Sequence, residues 1–317
     1  MMIKKSSVLV SIQCLTYNHQ NYLRQALDSF LKQETNFKFE VIVHDDASTD
    51  GTSEILREYA DRYPEIIIPI FESENLWRKN GLNVIFAHMT EMSRGKYIAY
   101  CEGDDFWQDP LKLQKQVDAM ERCPEATFCY TGFQTVDNDG KAFSRKEFES
   151  WNGNGVSGEI FFKLLENNIV LTPTTLFRKE VFTSAIYLNT TLRLDYFAFL
   201  SAAALGTAIY LPERTACYRQ TPTGAMATQL PWVQEKYFAI REYFIMEYAL
   251  GHVNKPFSMA GWKTLVEALN MSIRKKAAGD STQLRNLLIN RPVLRLLYPI
   301  AWIQVKVQNW KFNHSKK

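Results

Sequence analysis

Nowhere in this chain of 317 residues do about eighteen apolar positions run without a charge, so no segment is expected to cross a bilayer as a helix. No secretory leader is legible, because the opening MMIKKSSVLVSIQ passes directly into a strand-like run. Cysteine is scarce: the five are Cys14, Cys101, Cys123, Cys129 and Cys217, an odd number with no CxxC pair. That argues against a disulfide framework and a thiolate zinc site, and for reduced, mostly buried thiols in a cytoplasmic protein. An excess of one charge is missing too. Against 34 acidic residues stand 37 basic ones, a net of +3, which excludes a general binder of nucleic acid. There is no internal repeat and no low-complexity stretch. Without a leader, the glycosylation patterns at Asn189-Thr190-Thr191, Asn270-Met271-Ser272 and Asn313-His314-Ser315 read as chance.

What is present is a core. Hydrophobic residues make up 46% and aromatics 13%, enough for one large domain or two modest ones. The charge is unevenly placed. Residues 290–317 carry six basic groups and no acid, so the rest of the chain is net negative by three. Apolar runs at 8–14, 39–44, 66–71, 96–101 and 127–136 alternate with helical patterns over 22–31, from Asp50 to Tyr59, near 81–93 and over 110–123. Pro69 points to an edge or irregular position for the third strand. Such alternation implies βαβ units and a doubly wound, mostly parallel sheet. Residues 137–158 read as a loop or flap. Helices near 158–167 and 195–205 and strands at 171–179 and 208–219 complete a first domain, 1–225, and the remainder, 226–317, reads as helical.

Ligands bind such sheets outside the carboxyl ends of the strands, and the chemically unusual residues cluster there. Tyr17-Asn18-His19 follows the first strand, Asp45-Asp46 the second, and Glu102-Gly103-Asp104-Asp105 the fourth. Adjacent carboxylates repel unless something positive neutralises them. EGDD is therefore either a site for a hard divalent cation, Mg²⁺ or Mn²⁺, shared with substrate phosphates, or a solvated acidic turn ahead of the helix that Pro110 opens. Asp45 or Asp46 could accept a hydrogen bond from a base or ribose. Asp50 and Gly51 read as a structural turn and helix start. Asp195 is either a first-turn helix acid or a general base. Trp77, Arg78 and Lys79 form either a diphosphate-binding loop or a solvated one.

Together, VSIQCLTYNHQNYLRQALDSFLKQ, FEVIVHDDASTDGT, RGKYIAYCEGDDFWQDPLKLQKQV and LDYFAFLSAAALGTAIYLPERTACYR resemble the family 2 inverting glycosyltransferases of GT-A fold, over about residues 8–220. The EGDD segment is similar to the variant found in bacterial surface-polysaccharide transferases. The resemblance implies a role for each matching residue. Thr16, Tyr17 and Asn18 match the nucleotide-contacting turn. One of Asp45 and Asp46 would read the base, usually uracil. Glu102, Asp104 and Asp105 match the metal-and-ribose motif, Asp195 the catalytic base, and Arg219 the segment that closes over the diphosphate. Two departures stand out: Glu102 where aspartate is commoner, and Thr221 where the family often has histidine.

The activity so implied moves a sugar from a nucleotide-sugar donor, a UDP-sugar, to a glycan or lipid-linked glycan acceptor in one inverting displacement. The rivals are a sugar-phosphate nucleotidyltransferase and a degenerate binder of sugar nucleotides. The first lacks its basic, glycine-rich loop in TYNHQNY, and the intact acids speak against the second. Residues 292–310 mix Trp302, Trp310 and aliphatics with Arg295 and Lys306. They read either as a peripheral contact with the inner face of the cell membrane or as a terminal helix packed on the core.

Overall fold

The computed structural model describes residues 7–153, 155–188, 194–221, 231–277 and 282–314. The pattern at Asn189-Thr190-Thr191, Ser315 of the third pattern, the expected boundary at 225/226, and Lys316 and Lys317 lie outside the described residues. The chain falls into two compact units: Met1–Ile160 with Asn167–Gln234, and Phe161–Glu166 with Glu235–Lys317.

The first unit is built on one eight-stranded sheet. Its strands are β1 (Val8–Thr16), β2 (Lys38–Asp45), β3 (Ile67–Phe71), β4 (Tyr97–Tyr100), β5 (Phe106–Trp107), β6 (Ala126–Val136), β7 (Leu176–Arg178) and β8 (Thr207–Arg219). They lie in the order β3-β2-β1-β4-β7-β6-β8-β5. The β3-β2-β1-β4 half is wholly parallel. In the other half β7 runs against both β4 and β6, β8 runs parallel to β6, and β5 pairs antiparallel with β8. The sheet is thus mixed but mostly parallel, the strand–helix alternation is borne out, and Pro69 does lie on an edge strand.

The helices are α1 (Leu23–Leu31), α2 (Thr52–Arg62), α3 (Leu76–Asn80), α4 (Leu82–Met92), α5 (Lys112–Arg122), α6 (Lys146–Gly153), α7 (Phe161–Glu166), α8 (Glu180–Thr183), α9 (Ala185–Leu188) and α10 (Asp195–Leu205). Leu23, Ala26, Leu27 and Phe30 give α1 one buried stripe, and Leu113, Gln116, Val117 and Met120 do the same for α5. Val10, Ile12, Val41, Val43, Tyr97 and Ala99 share the same core. Strands covered on both faces need such continuous apolar runs. In the amino-terminal half of β1, away from the strand's carboxyl end, the fully buried Glu40 carboxylate accepts from Ser11 Oγ (2.6 Å) and from the Arg94 N–H (2.7 Å) and Nε (2.5 Å). The loop expected over 137–158 contains α6, whose Phe148 packs on Phe133 and Leu171.

The second unit takes in α7, a segment from within the span read as the first domain. Its aromatics explain this: Phe161 and Phe162 lie 6.2 and 5.0 Å from the rings of Phe244 and Tyr248, and Arg241 Nε donates to the Leu165 carbonyl (2.6 Å). The other helices here are α11 (Pro231–Leu250), α12 (Met259–Ala277), α13 (Thr282–Asn290) and α14 (Leu294–His314). Among the described residues, no helix is long and apolar enough to cross a membrane.

Candidate active site

The carboxyl ends of β1, β2 and β4 carry the expected residues side by side. Thr16 and Asp45 are register partners, the Asp46 N–H donates to the Thr16 carbonyl (3.0 Å), and the Gly103 N–H donates to that of Leu15 (2.9 Å). Gly103 is where the turn presses closest. A Cβ there would meet Thr16 Oγ1 at 2.8 Å and His19 Nδ1 at 3.0 Å. Only glycine lets the acidic turn lie this tightly on β1. Thr16 Oγ1 and His19 Nδ1 are themselves buried polar atoms with no protein partner among the described residues.

The turn after β1 and the turn after β2 are clasped together. Asn18, at φ +55°, accepts the Thr49 N–H on its side-chain oxygen (2.8 Å) and donates its own N–H to Ser48 Oγ (2.9 Å). Asp50 does cap-like work one residue before the actual cap, Gly51, by accepting from the Thr52 N–H (2.9 Å). The buried Asp45 carboxylate accepts from the Ser48 N–H (3.1 Å), Ser48 Oγ (2.5 Å) and Ser53 Oγ. The equally buried Asp46 takes the N–H groups of Leu76 (2.7 Å) and Trp77 (3.1 Å), so it tethers the start of α3. The segment Trp77-Arg78-Lys79 is this short helix, with Arg78 6.0 Å from the centre of the Tyr17 ring and Lys79 paired to Glu74.

The acids of EGDD diverge. Asp104 keeps 22% of its side chain exposed and stands 3.9 Å from His19 Nε2. Asp105 is buried and accepts the Arg219 N–H (2.7 Å). Glu102 turns toward Thr172, whose hydroxyl donates to Asp195 Oδ2 (3.2 Å). The other Asp195 oxygen accepts the Tyr196 N–H (2.7 Å) at the start of α10. Removal from water, with the charges of Asp104 and Asp195 added, pushes the Glu102 carboxyl up to about 8. Burial and the charges of Asp104 and Glu102 raise Asp105 as well, against the pull of Arg219. Glu102, Asp104 and Asp195 therefore share one electrostatic neighbourhood, although they come from segments about ninety residues apart.

The expected three-acid cation site does not form as such: among the described residues, no three side chains of the ligating kinds stand together. The reason is the commitment of Asp105 to β8. The remaining pair, Asp104 and Glu102, fits a cation of the Mg²⁺ or Mn²⁺ kind, which needs only one or two carboxylates when a diphosphate supplies the other oxygens. Carboxyls crowded this closely are relieved by a proton or by such a cation.

Arg219 also departs from expectation. Its guanidinium is spent on the protein, at the carbonyls of Asp104 (2.8 Å), Asp137 (3.1 Å) and Asn138 (3.0 Å) and at Gln25 Oε1 (2.5 Å). It is a clamp that fastens the loop after β6 to the acidic motif, helped by a Tyr22–Asn138 hydrogen bond, rather than a free donor for phosphate. Thr221, two residues on, is buried.

Two further groups belong here although their residue types did not mark them. One is Tyr218, whose phenol is held neutral by burial and by the charges of Asp105, Asp104, Glu102 and Asp195. The other is Thr172, in a 3-10 turn (Thr172–Thr174) that is itself held from behind. Trp107 Nε1 donates to the Pro173 carbonyl (2.9 Å) and Gln116 Nε2 to that of Thr174 (2.9 Å). Gln116 in turn accepts from the buried Lys112 (2.6 Å).

Comparisons with known proteins agree on the family. A family model described as glycosyl transferase family 2 matches residues 11–184, more than half of the chain. An uncharacterized protein of Mycobacterium tuberculosis is 38% identical over 215 residues, covering 68% of this chain and 60% of its own length. The chain thus spans less than two thirds of that curated relative. The putative teichuronic acid biosynthesis glycosyltransferase TuaG of Bacillus subtilis is 28% identical over 236 residues, 74% of this chain and 88% of that one. Among solved structures, S. aureus TarS 1-349 in complex with UDP-GlcNAc superposes with a TM-score of 0.57 at 17% identity, over 94% of this chain and 79% of that one. That likeness shows a GT-A fold.

Proposed function

Since the chain belongs to glycosyltransferase family 2, we propose that it moves a sugar from a UDP-sugar to a hydroxyl of a glycan, free or lipid-linked, with inversion at the anomeric carbon. The reading is supported above all by the nearness of Asp195 to the acidic turn: Thr172 donates to it, and its charge raises Glu102. Thr16, Tyr17, Asn18 and the Asp45–Asp46 pair would take the nucleotide end of the donor, a reading supported by TarS, a protein of the same fold whose structure is in complex with UDP-GlcNAc. Asp195 takes the proton of the acceptor hydroxyl as its oxygen forms the new bond to the anomeric carbon. The bond from that carbon to the diphosphate breaks, and the nucleoside diphosphate leaves. Mg²⁺ or Mn²⁺, held by Asp104 and Glu102, would neutralise the charge that develops on the diphosphate. Thr172 keeps the base aimed, and its neighbour Tyr218 supplies an uncharged wall. Surface-polysaccharide synthesis at the inner face of the membrane is the setting this chemistry suits.

The test is Asp195→Asn in the full chain, with UDP-sugars and a glycan acceptor. Transfer should fall by at least about a thousandfold while stabilisation by UDP with Mn²⁺ in a thermal melt persists. Wild-type protein that no nucleoside diphosphate stabilises, or a variant that transfers normally, would refute the assignment.

A further inference from the structure

Helix α14 is apolar on two faces, and only one of them is used. Leu294, Ala301 and Val305 are buried within the second unit. At about 100° per residue, a second stripe runs roughly a third of a turn away: Val293, just ahead of the helix, then Leu296, Ile300 and Ile303. These are 50%, 79%, 57% and 56% exposed. On one flank of the stripe lie Arg295, Trp302 and Lys306, all exposed, with the Lys306 ammonium 4.1 Å from the centre of the Trp302 indole ring. Along the chain, residues 290–317 hold six basic groups and no acid while the rest of the sequence is net negative.

We infer that this face lies in the plane of an anionic phospholipid surface. The aliphatic stripe would enter the boundary between headgroups and acyl chains, Trp302 would sit at headgroup level, and Arg295 and Lys306 would meet the phosphates. Charge complementarity selects this occupant. A second copy of the chain would set Arg295 and Lys306 against like charges, whereas an anionic bilayer answers both. Single exposed apolar residues are ordinary, but four at helical spacing along one face are not. Pro299 lies on the exposed side between the stripe and the cations, where its ring faces away from the unit's core. The inference concerns where the protein works. It rests on the glycosyltransferase reading only in that a lipid-linked acceptor would give the docking a purpose.

Flotation of the full chain with vesicles tests it. The protein should float with phosphatidylglycerol-containing vesicles at least about tenfold more than with pure phosphatidylcholine, and high salt should weaken the association. Arg295→Glu with Lys306→Glu should reduce it by more than about tenfold, each basic group contributing about fivefold. Leu296→Ser with Ile300→Ser and Ile303→Ser should abolish it, with the melting transition and UDP stabilisation retained. No flotation on anionic vesicles, or flotation untouched by both variants, would overturn the proposal. So would light scattering that shows a dimer which the serine variant converts to monomer. None of these results bears on sugar transfer, which the Asp195 variant tests separately.

Discussion

Lys112 lies fully buried on α5, its amino group 2.6 Å from Gln116 Oε1 and 4.3 Å from the centre of the Trp107 indole ring. Burial pulls its pKa down from 10.5 to about 7. In the unfolded chain the group keeps its ordinary value, so between about 7 and 10.5 the unfolded state binds more protons than the folded one, and stability rises with pH. At pH 7 the cost of taking this lysine out of water is on the order of 4 kcal/mol, and by pH 9 it has shrunk by about 2 kcal/mol, at about 1.4 kcal/mol per pH unit. Lys112→Met removes that cost. It also strips Gln116 Oε1 of its donor, which gives back about 1–2 kcal/mol. The variant should therefore be more stable at pH 7 by roughly 2–3 kcal/mol, and its advantage should fall to near zero by pH 9. Urea unfolding at the two pH values measures both quantities. A variant no more stable than wild type at pH 7, or a gain that does not shrink at pH 9, would mean that the amino group is not held in an apolar site and that the support behind the 172–174 turn has been misread.

Thr172→Val keeps the shape of the side chain and deletes the hydroxyl that touches both Asp195 and Glu102. A hydrogen bond to a charged group is worth about 1.5–3 kcal/mol, so kcat for sugar transfer should drop about 10- to 150-fold with the donor KM little changed, and Thr172→Ser should restore most of it. A loss in the serine variant with none in the valine variant would show that the methyl group, not the hydroxyl, matters. Glu40→Ala, remote from the site, leaves Ser11 Oγ and the Arg94 N–H without their acceptor in a fully buried setting. It should cost about 3–5 kcal/mol in urea unfolding, and Arg94→Ala, which leaves the fully buried carboxylate without its cation, should cost a comparable amount.

The parts of the molecule that could be read from the chain are those where one residue type suffices. The runs at 8–14 and 39–44 are mostly apolar because both faces of β1 and β2 are covered. The acids could be placed because a parallel sheet delivers its strand ends to one edge. What sequence could not supply is direction. EGDD looks like one cluster of charge. Yet Asp105 is drawn to the β8 backbone while Glu102 reaches Thr172. The family resemblance puts Arg219 in the segment that closes over the diphosphate, but four protein oxygens claim its guanidinium, and their number depends on where the loop after β6 comes to rest. Thr172 is one of three threonines in LTPTTLFRK, and periodicity does not distinguish them. What marks it out is that Trp107 and Gln116 hold the carbonyls of its own turn. Those two residues come from β5 and α5, on the chain segment that follows the acidic motif directly. The element that presents the acids therefore also holds the turn that aims the base, and a change of packing anywhere along 107–116 would reach Asp195 through Thr172 before it disturbed the nucleotide end of the sheet.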